Sequence, residues 1–260
     1  MRDFLVFRLL GPMSAYGDIT VGERRSIWDV PSKSAVLGLV AGGLGLTRDD
    51  GPAHQALEAG LGFAVRGDAP GFPLRDYHTA QAPKARKNGQ WRTRQEELAV
   101  KEELNTVLSE RLYRLEAAAT VALWRKAAKG SALEALGEAL TKPHFAPYLG
   151  RKACPLGRAP RPRIVAAASL LAALNAYDAQ ERESDLAMWQ WFESAQVGQD
   201  VPIWFEMDAG LEPEEAQARA EGQIRQRRDS LRDRSLWQFS DRSEGRLTWR
   251  AHAPDEEVRP

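Results

Sequence analysis

Apolar side chains recur along this chain with two periods, and the switches between them mark out its elements. Phe4 to Leu10 (FLVFRLL) is a nearly unbroken apolar run, which predicts a buried first strand that Gly11-Pro12 stops abruptly. A polar loop runs on through Asp29. Pro31-Ser32 then opens a helix from about Lys33 to Leu44, with Val36, Leu37, Leu39 and Val40 at helical spacing. His54 to Ala59 reads as a short helix, Leu61 to Arg66 as a strand and Leu74 to Thr79 as another short strand. Glu96 to Leu108 reads as helical. Tyr113 to Trp124 is torn between alternation, which favours a strand, and alanine content, which favours a helix; alternation decides for a strand over Leu115 to Leu123. Ser131 to Leu140 (SALEALGEAL) is an amphipathic helix, with Ser131 as N-cap, Glu134 three residues on and Leu133, Leu136 and Leu140 on one face. Ser169 to Tyr177 comes next as a helix and Asp200 to Asp208 as a strand. Glu212 to Arg232 reads as a charged helix, acidic first and basic later, and Ser235 to Phe239 as a last strand. The order strand–helix–strand–strand–helix–strand is that of an α+β, ferredoxin-like split βαβ unit with insertions.

Charge is balanced overall but uneven along the chain. The 260 residues carry 36 basic and 36 acidic side chains, which argues against a protein that coats nucleic acid indiscriminately and leaves room for a local cationic groove. Gln81 to Gln95 holds five cations (Lys84, Arg86, Lys87, Arg92, Arg94) and no acid, with Asn88-Gly89 as a turn signal, and reads as a protruding arm. From Thr141 to Arg163 there are six Lys/Arg and again no Asp or Glu. Within that stretch, PHFAPYLGRKACPLG (Pro143 to Gly157) contains three prolines and two glycines, which exclude helix and interior strand. An irregular loop rich in free backbone N–H groups, cations and aromatic faces suits a phosphodiester backbone with exposed bases; on composition alone a solvated basic loop fits as well. The single cysteine, Cys154, excludes an intrachain disulfide and a multi-cysteine zinc site, and fits a reducing cytoplasm. No export signal is expected at the N-terminus, and the longest apolar stretch, Ala35 to Leu46, is too short to cross a bilayer.

Other motifs yield less. Gly42-Gly43-Leu44-Gly45 ends a helix instead of joining a strand to one, so a helix C-cap explains it better than a nucleotide loop. His54, His78, His144 and His252 are scattered, none at metal-ligand spacing, and no G-x-S-x-G elbow exists, so neither metal nor cofactor is expected. Tyr77-His78 sits at the base of the cationic arm, where a histidine could exchange protons beside a 2′-hydroxyl or merely hydrogen-bond a loop. Arg24, Arg25 and Lys33 surround Trp28 near a helix start bearing Ser32 and Ser34, a combination that suits a phosphate as well as ordinary N-capping.

Three blocks together resemble one family. They are Leu5 to Gly17 (LVFRLLGPMSAYG) with its continuation Val30 to Gly45, then Leu74 to Thr79 (LRDYHT), then Pro143 to Leu156 (PHFAPYLGRKACPL). In this order they resemble the CasD subunits of type I-E CRISPR Cascade complexes, subtype E of the fifth CRISPR-associated family in the RAMP superfamily. The resemblance covers Met1 to Leu156 well and the rest in outline. It implies a modified ferredoxin-like, RNA-recognition-type core with an extended thumb insertion at about 76–112, in a unit spanning 1–210, and a C-terminal α/β extension over 211–260. It implies a subunit that binds the 5′ handle of the CRISPR RNA, caps one end of the complex and touches the CasC backbone subunit and the large CasA subunit. CasB and CasE are in the same assembly and target DNA is met indirectly. Relatives in another subtype cut RNA with a Tyr, Lys and His set; here the nearest Lys–His approach is Lys142-Pro143-His144, and in type I-E systems CasE makes the cut, so no enzyme is expected. Gly210 to Arg232 is longer and more charged than such a core requires.

The expected RNA contacts are the glycine-bearing loops: Gly11, Pro12, Met13, Ser14 and Tyr16 from the first, and Tyr148, Leu149, Gly150, Arg151, Lys152 and Cys154 from the second. Tyr16 and Tyr148 would offer stacking faces, while Arg24, Arg25, Lys33, Ser34, Tyr77, His78 and Lys84 would line the path. The rival is a metal-independent endoribonuclease using Tyr77, His78 and Lys84 on precursor CRISPR RNA. A structural adaptor whose basic loops meet acidic protein surfaces is the third reading.

Overall fold

The computed structural model describes residues 1–18, 20, 22–83, 91–99, 101–126, 132–188, 190–191 and 200–250. Its strands, in chain order, are β1 (Arg2–Leu10), β2 (Met13–Ser14), β3 (Arg24–Arg25), β4 (Leu61–Ala69), β5 (Phe72–Pro83), β6 (Leu104–Leu115), β7 (Ala118–Arg125), β8 (Arg163–Ala167), β9 (Asp200–Glu206), β10 (Ile224–Asp233) and β11 (Gln238–Arg250). The helices are α1 (Lys33–Gly43), α2 (Gly51–Gly60), α3 (Arg94–Glu97), α4 (Leu133–Thr141), α5 (Leu170–Ser184) and α6 (Glu212–Ala220). No helix among the described residues is long and apolar enough to cross a membrane.

One antiparallel sheet of seven strands, in the order β10-β11-β9-β4-β7-β1-β8, divides the molecule. Its central strands are apolar on both faces, because each face is covered. Phe7 and Val65 flank Val121 in register, and all three sit in a core closed by α1, α2 and α4 through residues such as Val36, Val40, Leu57 and Leu136. Their neighbours Val6, Ala64 and Ala122 face the other way, into a core shared with Leu170, Leu174 and Tyr177 of α5, Ala218 of α6 and Phe205 of β9. This period-2 division of one apolar run between two cores is why β1 reads as continuous hydrophobicity.

A second, smaller sheet stands off the first. β5 and β6 pair along their whole length, from Phe72 opposite Leu115 to Pro83 opposite Leu104, and β2 and β3 join the outer edge of β6 near its base. Phe72, Leu74, Tyr77 and Val107 are exposed on this hairpin. Here the structure corrects the sequence reading of a helix from Glu96 to Leu108: among the described residues the α-helix is Arg94–Glu97, and Leu104–Leu115 is a strand. Pairing along β5 overrides the helix preference of the glutamates and leucines. The expected turn at Asn88-Gly89 and the cations Lys84, Arg86 and Lys87 lie outside the described residues, as does Ser131; Ala132 is the N-cap position of α4.

The C-terminal region differs too. α6 stops at Ala220, where Gly222 takes φ 66° and Gln223 N–H donates to the Ala218 carbonyl at 2.9 Å, a left-handed helix stop. Beyond that stop the chain continues as β10, not as more helix. Its buried positions include Arg227 and Asp229, so hydropathy could not reveal its alternation. β8, which had no counterpart in the sequence reading, is a five-residue edge strand pairing Val165 with Phe4. The last strand begins at Gln238 and runs on to Arg250.

Candidate nucleic-acid interface

The two glycine-bearing loops meet. Ala15 N–H donates to the Leu149 carbonyl at 2.9 Å, and Gly157 N–H to the Leu10 carbonyl at 2.9 Å. The second loop folds on itself through Leu149 N–H to the Cys154 carbonyl (2.7 Å) and Cys154 N–H to the Arg151 carbonyl (2.8 Å). Close approach explains a glycine in each loop. Gly150 has φ 87°, and a Cβ there would lie 2.0 Å from the Ala15 carbonyl oxygen; one on Gly11 would lie 2.6 Å from that of Pro155. The hairpin base is the third partner. Met13 and Ser14 pair with Leu115 and Arg114, Arg151 donates to the Leu112 carbonyl at 3.4 Å, and its guanidinium lies 4.7 Å from the Tyr113 ring centre. The sequence reading places neither Tyr113 nor Leu112 at the site, because Leu104, Leu108 and Leu112 recur every fourth residue and no strand alternation marks the segment.

Contact sorts the expected site residues into supports and surface. Tyr16 is 6% exposed and Ser14, Leu149 and Cys154 are buried, so these fix the clamp from within and the Tyr16 ring is covered. Burial, then the neighbouring Cys154, pushes the Tyr16 hydroxyl well above the ordinary tyrosine range. Burial likewise raises the Cys154 thiol, partly offset by Arg151, leaving it a weak nucleophile. Tyr148, at 42% exposure, presents the accessible ring, beside exposed Gly150 and Lys152, with exposed Pro12 and half-buried Met13 across the clamp. Three of the basic residues after Gly157 are already spoken for: Arg158 pairs with Asp185, and Arg161 and Arg163 with Glu181 at 2.5 and 2.7 Å. Lys142 and Lys152 have no ion-pair partner among the described residues.

The expected phosphate seat at the start of α1 is filled from within the protein. Lys33 N–H donates to Asp229 Oδ2 at 2.8 Å, while buried Lys33 Nζ bonds Glu58 and Glu206 at 3.0 Å each. Ser34 shares a 3.1 Å hydroxyl contact with Ser32, which caps Ala35 N–H. Lys33 therefore serves the interior, because two carboxylates already neutralise it in a water-poor site. Trp28 lies against Arg225 and Arg227, 5.1 and 4.6 Å from its ring centre, in place of Arg24 and Arg25. Arg24 pairs across the hairpin base with Glu110 at 3.3 Å, and Arg75 meets the same carboxylate at 3.2 Å; Arg25 is exposed beside them. On β5, Tyr77 lies opposite Glu110 and His78 opposite Ser109. Adjacent strand residues point to opposite faces, so these two side chains diverge. His78 Nε2 is 2.5 Å from Asp76. Lys84 lies outside the described residues.

A clamp of irregular loops on a sheet of this architecture defines a class that comparison with known proteins identifies. The family model described as CRISPR-associated protein (Cas_Cas5) matches residues 4–228, and the chain belongs to that family. Over 164 residues it is 36% identical to the CRISPR system Cascade subunit CasD of Escherichia coli (strain K12), spanning 60% of this chain and 68% of the relative; the branch is that of CasD, of type I-E. Among solved structures, a chain of a "CRISPR RNA-guided surveillance complex" superposes with a TM-score of 0.58 at 21% identity, over 94% of this chain and 89% of the other. One described as "Crystal structure of Cas protein" gives 0.58 at 22% identity, over 94% of each. These last two share the mixed α/β fold with antiparallel sheets.

Proposed function

We propose that the chain is a non-catalytic subunit of a type I-E CRISPR surveillance complex in the cytoplasm, where it binds the 5′ handle of the CRISPR RNA and caps the backbone against CasC and CasA. The observation that carries this reading is the clamp itself. Two loops locked by backbone hydrogen bonds leave Tyr148, Gly150 and Lys152 exposed together, a ring to stack on a base beside an amide and a cation for phosphate. Rigid loops suit a handle of fixed sequence, because the protein's ordering cost is met before RNA arrives. The strand order β8-β1-β7-β4, with α1 and α2 before β4 and α4 before β8, supports reading the 1–210 unit as a ferredoxin-like core with the β5–β6 hairpin as its thumb. The last strands then form the extension. The divergence of Tyr77 and His78 supports a binding role over cleavage, since an acid and a base must converge on one phosphodiester.

The test uses assembled complexes carrying R151E and K152E. The expected result is loss of handle retention and a flatter dependence of RNA affinity on salt, by about 0.7 per phosphate contact removed. Unchanged retention and unchanged salt dependence would refute the site. Cleavage of precursor repeat RNA by the isolated chain in chelator would instead establish the endoribonuclease.

A further inference from the structure

The tip of the β10–β11 hairpin carries cations and rings that the clamp does not use. Asp233 to Trp237 turn back on themselves: Leu236 N–H and the Ser235 hydroxyl donate to the Asp233 carboxylate at 3.0 and 2.7 Å. Trp237, the next residue, has φ 58° and is 56% exposed. Two guanidiniums lie against its ring, Arg234 at 4.2 Å and Arg48 at 5.9 Å from the centre, and Phe239 meets it edge-on at 6.0 Å. Arg48 also donates to the Ser235 carbonyl at 2.5 Å, which ties the tip to the segment after α1.

That segment is continuous with the clamp. His144 and Phe145 N–H groups donate to the Gly43 and Gly42 carbonyls at the end of α1, at 2.9 and 3.2 Å, so the loop holding Tyr148 starts from the same place. The Tyr148 hydroxyl is within electrostatic reach of Arg234. Neither arginine has a carboxylate partner among the described residues. Two acids close to them in sequence are committed elsewhere: Asp233 to its own turn, and Asp50 to Thr47 N–H and hydroxyl at 2.7 and 2.8 Å. Partial burial, and then the charge of Arg48, work against the Arg234 cation. A bound anion would relieve that opposition. Two guanidiniums without a carboxylate partner, beside an exposed indole, have the chemistry of a nucleotide site, with phosphate on the cations and a base on the ring.

We propose that Arg48, Arg234 and Trp237 form a second contact for single-stranded RNA, extending the track that begins at Tyr148 and Lys152. This rests on the RNA-binding reading of the clamp, and its failure is separable from that reading. The experiment titrates the full chain with a fluorescein-labelled single-stranded RNA at several salt concentrations, in R48Q/R234Q, W237L, R48K/R234K and K152E variants. R48Q/R234Q is expected to weaken binding about tenfold near ~0.1 M salt and to lower the salt slope by about 1.4. W237L is expected to weaken binding at least about fivefold with its slope unchanged. R48K/R234K restores the slope, which a merely structural tie would not do. If both tip variants bind like the parent while K152E loses affinity, the tip is no RNA contact and the clamp stands alone. If K152E binds like the parent while the tip variants do not, the clamp assignment falls, and with it the continuous track; the tip would then be an RNA contact by itself. Tip variants that keep RNA affinity but leave the assembled complex would assign the surface to a protein partner and overturn the proposal.

Discussion

Gly150 is where one residue decides a surface. Its φ of 87° and the Ala15 carbonyl 2.0 Å from any added Cβ leave no room for another side chain. G150A is therefore expected to cost about 1–3 kcal/mol for the backbone conformation alone, with the steric clash added. Thermal denaturation checks the loss, and RNA affinity should fall more than the melting temperature alone would explain, because Tyr148 and Lys152 ride on the same turn. The glycine and its loop were legible in PYLGRKACPL, since proline and glycine exclude regular structure. The division of labour among neighbours was not. Tyr16 and Tyr148 look alike in sequence, and only packing covers one ring and leaves the other open. Arg161 and Arg163 read as free cations until α5 brings Glu181 against them.

The β5–β6 hairpin behaves as a separable element. It stands on a base where Phe72 faces Leu115 and Asp76 faces Arg111, so its two ends already lie side by side. Replacing 78–108 by a short turn is expected to leave the seven-stranded body folded, with melting within a few degrees of the parent, because neither body core draws on the described residues of that span. Circular dichroism and calorimetry check this. The same variant should fail to join its complex if the hairpin is the thumb. Charge and turn signals predict a cationic arm whose Lys84, Arg86, Lys87 and Asn88-Gly89 lie outside the described residues, and the strand pairing on either side of it was not legible. Helix propensity in Glu96 to Leu108 is local, whereas the pairing that makes Leu104–Leu115 a strand is set by β5, a segment distant in sequence.

Among the described residues, the two larger cores and two buried charge networks tie the molecule together. Arg66 is fully buried between Asp68 and Asp178 at 2.5 and 2.6 Å, and Arg8 reaches Asp178 at 2.9 Å, joining α5 to the sheet. Burial works against the Arg66 cation, but these carboxylates more than offset it and raise its pKa. On the other face Asp229 is shared by Lys33 N–H and by Arg242 at 2.6 Å, which fastens the C-terminal hairpin to α1. Each core also holds a buried tyrosine, Tyr16 in one and Tyr177 in the other, and burial is the leading cause raising both hydroxyls above their ordinary value. The sign of the pH effect is set by that shift. The unfolded chain releases these protons near pH ~10 while the folded chain holds them, so their contribution is complete below ~10 and is lost as pH rises above it. Stability should fall by about 1.4 kcal/mol per pH unit for each tyrosine above that point. Urea denaturation across alkaline pH checks this, and Y16F and Y177F should each flatten the slope by about one tyrosine's share. An unaltered slope in both variants would show that other groups carry the alkaline loss.

Local rules were enough to specify the apolar strands of the central sheet, the helices that cover one face and the irregular loop from Pro143 to Gly157. Those rules are the period of hydrophobic side chains, the caps, and the backbone limits of proline and glycine, all of which act between near neighbours in the chain. Where charge remains available was settled only by long-range packing. Lys33, Arg66 and Arg227 are as polar in sequence as Lys152, yet the first three are buried against carboxylates from remote segments and the last is exposed. A charge buried with its partner stabilises the interior, whereas a charge left at the surface can meet an RNA phosphate, and only the folded chain sorts one from the other.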